Sequence, residues 1–307
     1  EMEQHQVNRS WREPQMWELK RAAREVKRSA PGKSGITADV WKELMKNEKV
    51  AEAMLDVMVK CWRNKRVPRD WTEFHTVLLK KEGDLSLPKN WRAISMQEVR
   101  AKLYQMILKY RLQDQYENMA PEYSTGFRRG RGRADSIYVV KENVRKRKEW
   151  GLDTHVVLWD AIKCFDKIPR ENIWRSMKKC GIHPAMIEAV KSTLHESMCN
   201  LHVAGEQRQV KMKEGTGQGT ILGPILCLFF FLPVLELWRK KTLEEPELQG
   251  RQAGTSVQSA RGGEVSTYLN NFADDMLMCT GSVETTAWVV REFPPYMAAF
   301  GMPVHTA

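Results

Sequence analysis

The stretch "NNFADDMLM", residues 270–278, narrows the folds open to this chain more than any other part of it. Asp274 and Asp275 are adjacent like charges set between apolar flanks. Neighbouring carboxylates repel, and neither is readily buried without a partner. Successive residues of a strand point to opposite faces, so the two acids can converge only in a turn. "EVSTYLNNF" before them and "MLMC" after them predict the strands of that hairpin. A surface turn would tolerate the pair, though turn tips rarely carry this much apolar flank. The other solution is a divalent cation held by the acids, and the rest of the chain decides between the two. A third acid, Asp160, ends the predicted strand "HVVLWD" (155–160). Three carboxylates on two adjacent strands could hold two ions about 4 Å apart, the separation used for in-line phosphoryl displacement.

The rest of the chain supplies a mixed frame. Helical apolar spacing predicts helices over 17–28, opened by Pro14, and over 38–47, 50–64 and 97–118. "HTVLLKK" (75–81) reads as a strand and 82–90 as a turn region. Further helices are expected near 170–179, 184–195 and 283–300, a hairpin over 200–212 with Gly205 at its turn, and a glycine-rich turn over 215–224. The polar segment 241–263 reads as a mobile loop. Strands alternating with helices after residue 150, with a hairpin carrying the acids, argue α+β. "ILGPILCLFFFLPVLELW" (221–238) contains Pro224, Pro233 and Glu236, so it reads as a buried core helix, not a membrane span.

Charge points to a polyanion. Lys and Arg number 49 against 38 Asp and Glu, a net +11, which suits nucleic acid ahead of a membrane surface. The surplus is local in "STGFRRGRGRADS" (124–136) and the helix predicted to run on to Trp150. Arg128, Arg129, Arg131 and Arg133 head that run, where glycines let backbone approach a phosphate. A solvated helix face is the alternative. Six cysteines without paired spacing suit a reducing compartment, and the Cys180/His183 and His195/Cys199/His202 groupings match no familiar zinc finger. The chain opens on Glu1 with no basic-then-apolar start and looks like a piece of something longer.

In this order the motifs resemble the fingers and palm of a reverse transcriptase, most similar to those of eukaryotic non-LTR (LINE-type) retrotransposons. "FADD" (272–275) resembles the aromatic-Ala-Asp-Asp box, and "WDAIKCFDKI" (159–168) the first palm motif. "GTGQGTILGPIL" (215–226) resembles the G-x-x-Q-G-x-x-L-S-P box, and "LLKKEGD…NWRAIS" (78–95) the fingers motif. "STGFRRGRGRADSI" (124–137) and "SAPGKSGITAD" (29–39) match two further stretches. The resemblance spans about residues 29 to 303.

It implies an α+β right-hand polymerase fold with an antiparallel palm sheet. The helical extension and fingers would occupy 1–150 and the palm 151–307, ending before a thumb. Asp160, Asp274 and Asp275 would bind two Mg²⁺ ions, with Mn²⁺ as the alternative. Phe165 would lie under the incoming sugar, Gln218 would line the nucleotide and template pocket, and Arg92 with Lys80 or Lys81 would hold the triphosphate. The implied partners are an RNA template, a DNA primer and deoxynucleoside triphosphates, with no membrane, in the nucleus and cytoplasm. The thumb and nuclease of such elements are not in this chain. Several positions depart from the pattern: Ser34 stands where Asp is expected, Gly217 where Arg is frequent, Gly223 where Ser is usual, and Asn270 and Asn271 where the lead-in is apolar. Two rivals remain: a decayed remnant that binds nucleic acid without polymerising, and an RNA-dependent RNA polymerase, against which Phe165 argues.

Overall fold

A computed structural model describes residues 11–28, 30–87, 90–203, 206–248, 254–258 and 264–306. Three helices come first: α1 (Met16–Glu25), α2 (Ala38–Leu44) and α3 (Glu48–Asn64). Strands β1 (Glu73–Lys80) and β2 (Trp91–Met96) lead into α4 (Val99–Met119). Helix α5 (Arg133–Glu149) leads into β3 (His155–Asp160) and the single turn α6 (Cys164–Lys167). Helices α7 (Arg170–Lys179) and α8 (Pro184–Leu194) precede strands β4 (Met198–Val203) and β5 (Glu206–Lys211). After the long α9 (Gly223–Glu244) come β6 (Thr255–Gln258), β7 (Glu264–Thr267), β8 (Leu269–Phe272), β9 (Asp275–Thr280) and α10 (Val283–Ala299).

These elements gather into two compact units, Glu1–Gln115 with Met177–Leu226, and Tyr116–Ser176 with Cys227–Ala307. Compactness thus divides the chain after Gln115, Ser176 and Leu226, whereas the motif order suggests a boundary at residue 150.

In the first unit the sheet runs β2-β1-β4-β5, with β1 antiparallel to β2 and parallel to β4. Leu19, Met58, Phe74, Leu103, Tyr104 and Ile107 are fully buried here. Helix α4 is covered around most of its girth, so its polar residues are buried and need partners. Arg111 grips Glu18 with two nitrogens, at 2.7 and 2.6 Å, and donates to the Arg12 and Glu13 carbonyls. Removing one member of such a buried pair typically costs about 3–5 kcal/mol.

The loop before α2 is tied to the start of α4. Ser34 donates from its backbone N–H and its hydroxyl to the Glu98 carboxylate, at 2.7 and 2.6 Å. That geometry accounts for one departure from the family pattern, because an Asp at 34 would set a second carboxylate against Glu98, itself 3 % exposed. Ser34→Asp should destabilise the unit by about 1–3 kcal/mol, the cost of a buried group losing its partner. Chemical unfolding checks this, and Glu98→Gln should recover most of the loss. No recovery would mean the repulsion is not the cause.

In the second unit the sheet is β3-β9-β8, antiparallel throughout. Period-2 alternation buries Trp159, Met276 and Met278 on one face and leaves Leu158 73 % exposed on the other. The buried side belongs to a core rich in aromatic rings from α9 and α10. Trp238 stacks on Trp288 at 5.2 Å, and Phe293 meets both Trp238 and Trp159. Helix α9 is therefore a core helix, as its sequence predicts. None of the helices in the described residues is long and apolar enough to cross a membrane.

Several expectations need correction. The segment 241–263 is not a loop throughout: α9 continues to Glu244, a helical turn covers Pro246–Leu248, and β6 pairs with β7. β-branched residues in "TSVQ" and "EVST" favour that hairpin; residues 249–253 and 259–263 lie outside those described. "EVSTYLNNF" is two strands, because β7 pairs with β6 while β8 pairs with β9. Tyr268 marks the break, its hydroxyl accepting from Trp238 Nε1 at 2.8 Å. "WRAISM" (91–96) is a strand that the alternation in sequence did not reveal. The 200–212 hairpin forms, but its expected turn residue Gly205 lies outside the described residues.

Candidate active site

The register of the second sheet does the positioning. Asp160, the last residue of β3, pairs with Asp275, the first of β9. Directly opposed residues of an antiparallel pair share a face, with Cβ atoms about 4.5–5.5 Å apart. Phe272 pairs with Asp275 from the other side, so Ala273 and Asp274 form a two-residue turn. Only one of the two adjacent acids is therefore in the turn, and the other starts a strand. Ala273 takes a left-handed φ of +61°, the conformation such a turn demands at its first position.

Asn271 holds this turn from inside. Its amide, 1 % exposed, donates to the Ala273 carbonyl at 2.9 Å. Its backbone joins the loop before α5: Asn271 N–H donates to the Tyr123 carbonyl, and Thr125 N–H donates to the Asn271 carbonyl. Gly126 follows, so close to the turn that a Cβ would lie 2.3 Å from the Ala273 nitrogen. The Asn that breaks the apolar lead-in is thus a structural brace. Asn beside a predicted turn was the available signal for it.

Three carboxylates brought this close carry an electrostatic cost. Burial pushes the Asp274 carboxyl above the usual range, and the charges of Asp275 and Asp160 push it further. Burial also raises Asp275, with Asp160 adding to the shift and Arg133 opposing it. Beneath lie two thiols, Cys164 and Cys227, with sulfurs 3.4 Å apart and both almost fully buried. The Cys227 thiol is pushed up by its hydrogen bond with Cys164 and by burial. On the open side the His305 imidazole stands 3.7 Å from the Asp160 carboxylate, brought there by pairing of Ala161 with Val304.

Among the described residues, no three His, Cys, Asp or Glu side chains are already gathered tightly enough to hold one ion. The donor chemistry nonetheless fits a hard divalent cation, since all three acids offer oxygen and their mutual repulsion is what such a charge would relieve.

The other site candidates divide by unit. Phe165 belongs with the acids in the second unit, on α6, just past Lys163 in a left-handed turn at φ +50°. Arg133 is exposed, its guanidinium 6.0 Å over the Phe272 ring and close enough to lower Asp275. Arg128 is different. Its side chain is 8 % exposed, with the guanidinium paired with Glu117 and donating to the Pro121 and Ser124 carbonyls. It shapes the loop and cannot also grip a phosphate without breaking these bonds. Arg129 is exposed and is anchored through its backbone N–H to Glu117, and Arg131 pairs with Glu122 at the surface. Asp135, the acid of that motif, accepts from the Gly132 N–H at 2.6 Å and so caps α5.

In the first unit, Arg92 lies opposite Leu79. Alternation then sets Lys81, not Lys80, on the Arg92 side of the hairpin. The Gln218 carbonyl accepts from Ser95 N–H at 2.9 Å, which fixes its loop to β2. Gly217 and Gly219, on either side, have φ of +78° and +94°. An Arg at 217, frequent in the family, would be strained in this turn.

A match to the family described as "Reverse transcriptase (RNA-dependent DNA polymerase)" runs over residues 79–307. The chain belongs to the reverse transcriptase family. Its curated relatives include the "Retrovirus-related Pol polyprotein from type-1 retrotransposable element R2" of Popillia japonica. That protein is 26 % identical over 268 residues, 85 % of this chain and 34 % of the relative. The "Probable RNA-directed DNA polymerase from transposon BS" of Drosophila melanogaster is 24 % identical over 53 % of this chain and 18 % of its own length. This reverse transcriptase chain thus spans about a third or less of these relatives, and its kinship is to the non-LTR type. Among solved structures, apo telomerase from Candida tropicalis, truncated from its C-terminal domain, superposes with a TM-score of 0.53 at 16 % identity. The match covers 88 % of this chain and 54 % of that one. The fold is that of the right-hand polymerases. The family depends on divalent metal ions in general, which suits the oxygen donors described above.

Proposed function

We propose that this chain is the polymerising core of a non-LTR retrotransposon reverse transcriptase, extending a DNA primer on an RNA template with deoxynucleoside triphosphates. The observation that carries the reading is the register that pairs Asp160 with Asp275 and sets Asp274 in the turn beside them. Asp160, Asp274 and Asp275 would hold Mg²⁺, which when bound supplies Lewis acidity toward the primer 3′-hydroxyl and the phosphate oxygens.

The chain's own groups have separable tasks. The 3′-hydroxyl attacks the α-phosphate and pyrophosphate leaves. Arg92 would fork onto phosphate oxygens and Lys81 add a point charge, roles the family motif assigns and their common side of the hairpin supports. Gln218 would contact the base and template. Arg129, Arg131 and Arg133 would meet backbone phosphates, with Arg128 holding their loop. Phe165 would occupy the space a ribose 2′-hydroxyl needs.

The test is single-nucleotide extension of a DNA primer on RNA, with matched ribo- and deoxyribonucleotides. Wild-type chain should prefer deoxyribonucleotides. Phe165→Val should cut that preference at least about tenfold, because steric exclusion exceeds the 1–3 kcal/mol of a lost methylene contact. Template binding without extension would favour the decayed-remnant reading. Equal use of both sugars by wild type would favour an RNA polymerase.

A further inference from the structure

Phe127 is expensive in two ways. Its backbone sits at φ +56°, a conformation that bulky residues avoid. The residue is also 43 % exposed, so a large part of the ring's apolar surface stays in water. Neither the strain nor the exposure stabilises the fold, and residues held this way cluster at functional sites.

The ring's neighbours suggest what it does. It meets Phe165 edge-on, with centroids 6.3 Å apart and planes at 76°. It also lies 6.4 Å from Phe272, whose strand position is directly opposite Asp275. Phe165 rides on a helix of a single turn, which has little rigidity of its own. Phe127, by contrast, hangs from a loop hydrogen-bonded to β8 and packed by Gly126 against the acid-bearing turn. One ring thereby links the weakly held aromatic of α6 to the well-held hairpin.

We infer that Phe127 is a positioning residue for Phe165, fixing the ring that discriminates the sugar of the incoming nucleotide relative to the aspartates. This rests on the proposed polymerase reading. An edge-to-face contact restrains a ring's tilt without filling the space it guards. Loss of Phe127 should therefore loosen the gate and leave deoxyribonucleotide chemistry in place.

The test is the ratio of kcat/KM for matched deoxyribo- and ribonucleotides in single-nucleotide extension by the full chain. Phe127→Gly is the first variant, since glycine takes the left-handed backbone without strain and removes the ring with its side chain. It should lower the ratio about tenfold, Phe127→Tyr should keep it near wild type, and Phe127→Gly added to Phe165→Val should lower it no further than Phe165→Val alone. A merely structural role would reduce both rates together and leave the ratio unchanged. That outcome, or full additivity with Phe165→Val, overturns the inference alone. A wild-type chain that extends with neither nucleotide overturns the polymerase reading and this one with it.

Discussion

Asp274→Asn is expected to abolish primer extension and, at the same time, to raise the melting temperature of the metal-free chain. The two effects have one origin. Burial and the charges of Asp275 and Asp160 raise the Asp274 carboxyl in the fold. A folded-state pKa above the unfolded value means that the stabilising contribution is complete below the ordinary carboxylate range. It is lost as pH rises through the raised value. At neutral pH the ionised cluster therefore costs stability, and Asn removes that cost while keeping the size and shape of the side chain. In a chain of this size each kcal/mol gained raises the midpoint by about 1.5 °C. The advantage of Asn should shrink as pH falls through the raised value, where the wild-type acid is itself protonated.

Magnesium should reverse the order. A ligand that binds only the folded state stabilises it by mass action, so wild type should gain melting temperature with added Mg²⁺ and Asp274→Asn should gain much less. Extension should fall by about a thousandfold, the upper end of the scale for losing a preorganised electrostatic group. Scanning calorimetry with chelator or Mg²⁺, beside extension assays, reads both arms. A variant less stable than wild type in chelator at pH 8 would show that Asp274 is held by favourable contacts, and that no strained cation site exists here.

The acid-bearing segment was readable in sequence because its pattern and its chemistry coincide. Short apolar runs in "HVVLWD" and "MLMC" locate strands β3 and β9, and both place an acid at a strand end. Register was not readable: nothing local says that Asp160 faces Asp275 and that Asp274 alone sits in the turn, because pairing is set by the whole sheet. The basic run 128–148 shows the opposite failure. Composition treats Arg128, Arg131 and Arg147 alike, yet the Arg128 side chain is only 8 % exposed and Arg147 is buried. Arg147 donates to Thr154 Oγ1 and the Asp153 carbonyl. Charge counts cannot separate a guanidinium that satisfies loop carbonyls from one offered to a phosphate. Phe127 was hidden for a related reason. An aromatic among glycines and arginines looks incidental until its backbone conformation and its ring contacts are known.

Gly126→Ala should damage the fold and the chemistry together, out of proportion to one added methyl group. The new Cβ would stand 2.3 Å from the Ala273 nitrogen and 3.0 Å from the Phe272 carbonyl carbon, and both obstacles are backbone. Neither can rotate away, and Ala273 is already committed to a left-handed turn. The loop must retreat. In doing so it gives up the bonds from Thr125 N–H to Asn271 and from Asn271 N–H to Tyr123. Overpacking and two lost buried hydrogen bonds together suggest a cost of about 2–5 kcal/mol. If the turn moves instead, Asp274 moves with it, and misplacing a catalytic group by about 1 Å can cost a hundredfold in rate. Gly132→Ala is the control, because it lies in the same loop with nothing near its Cβ and an extended φ of −161°. It should lose less than about 1 kcal/mol, as expected for an N-cap exchange. Denaturant unfolding and extension rates distinguish the two glycines. Equal behaviour would mean that the loop does not press on the acid-bearing turn, which would remove the support on which Asp274 and the Phe127 ring both depend.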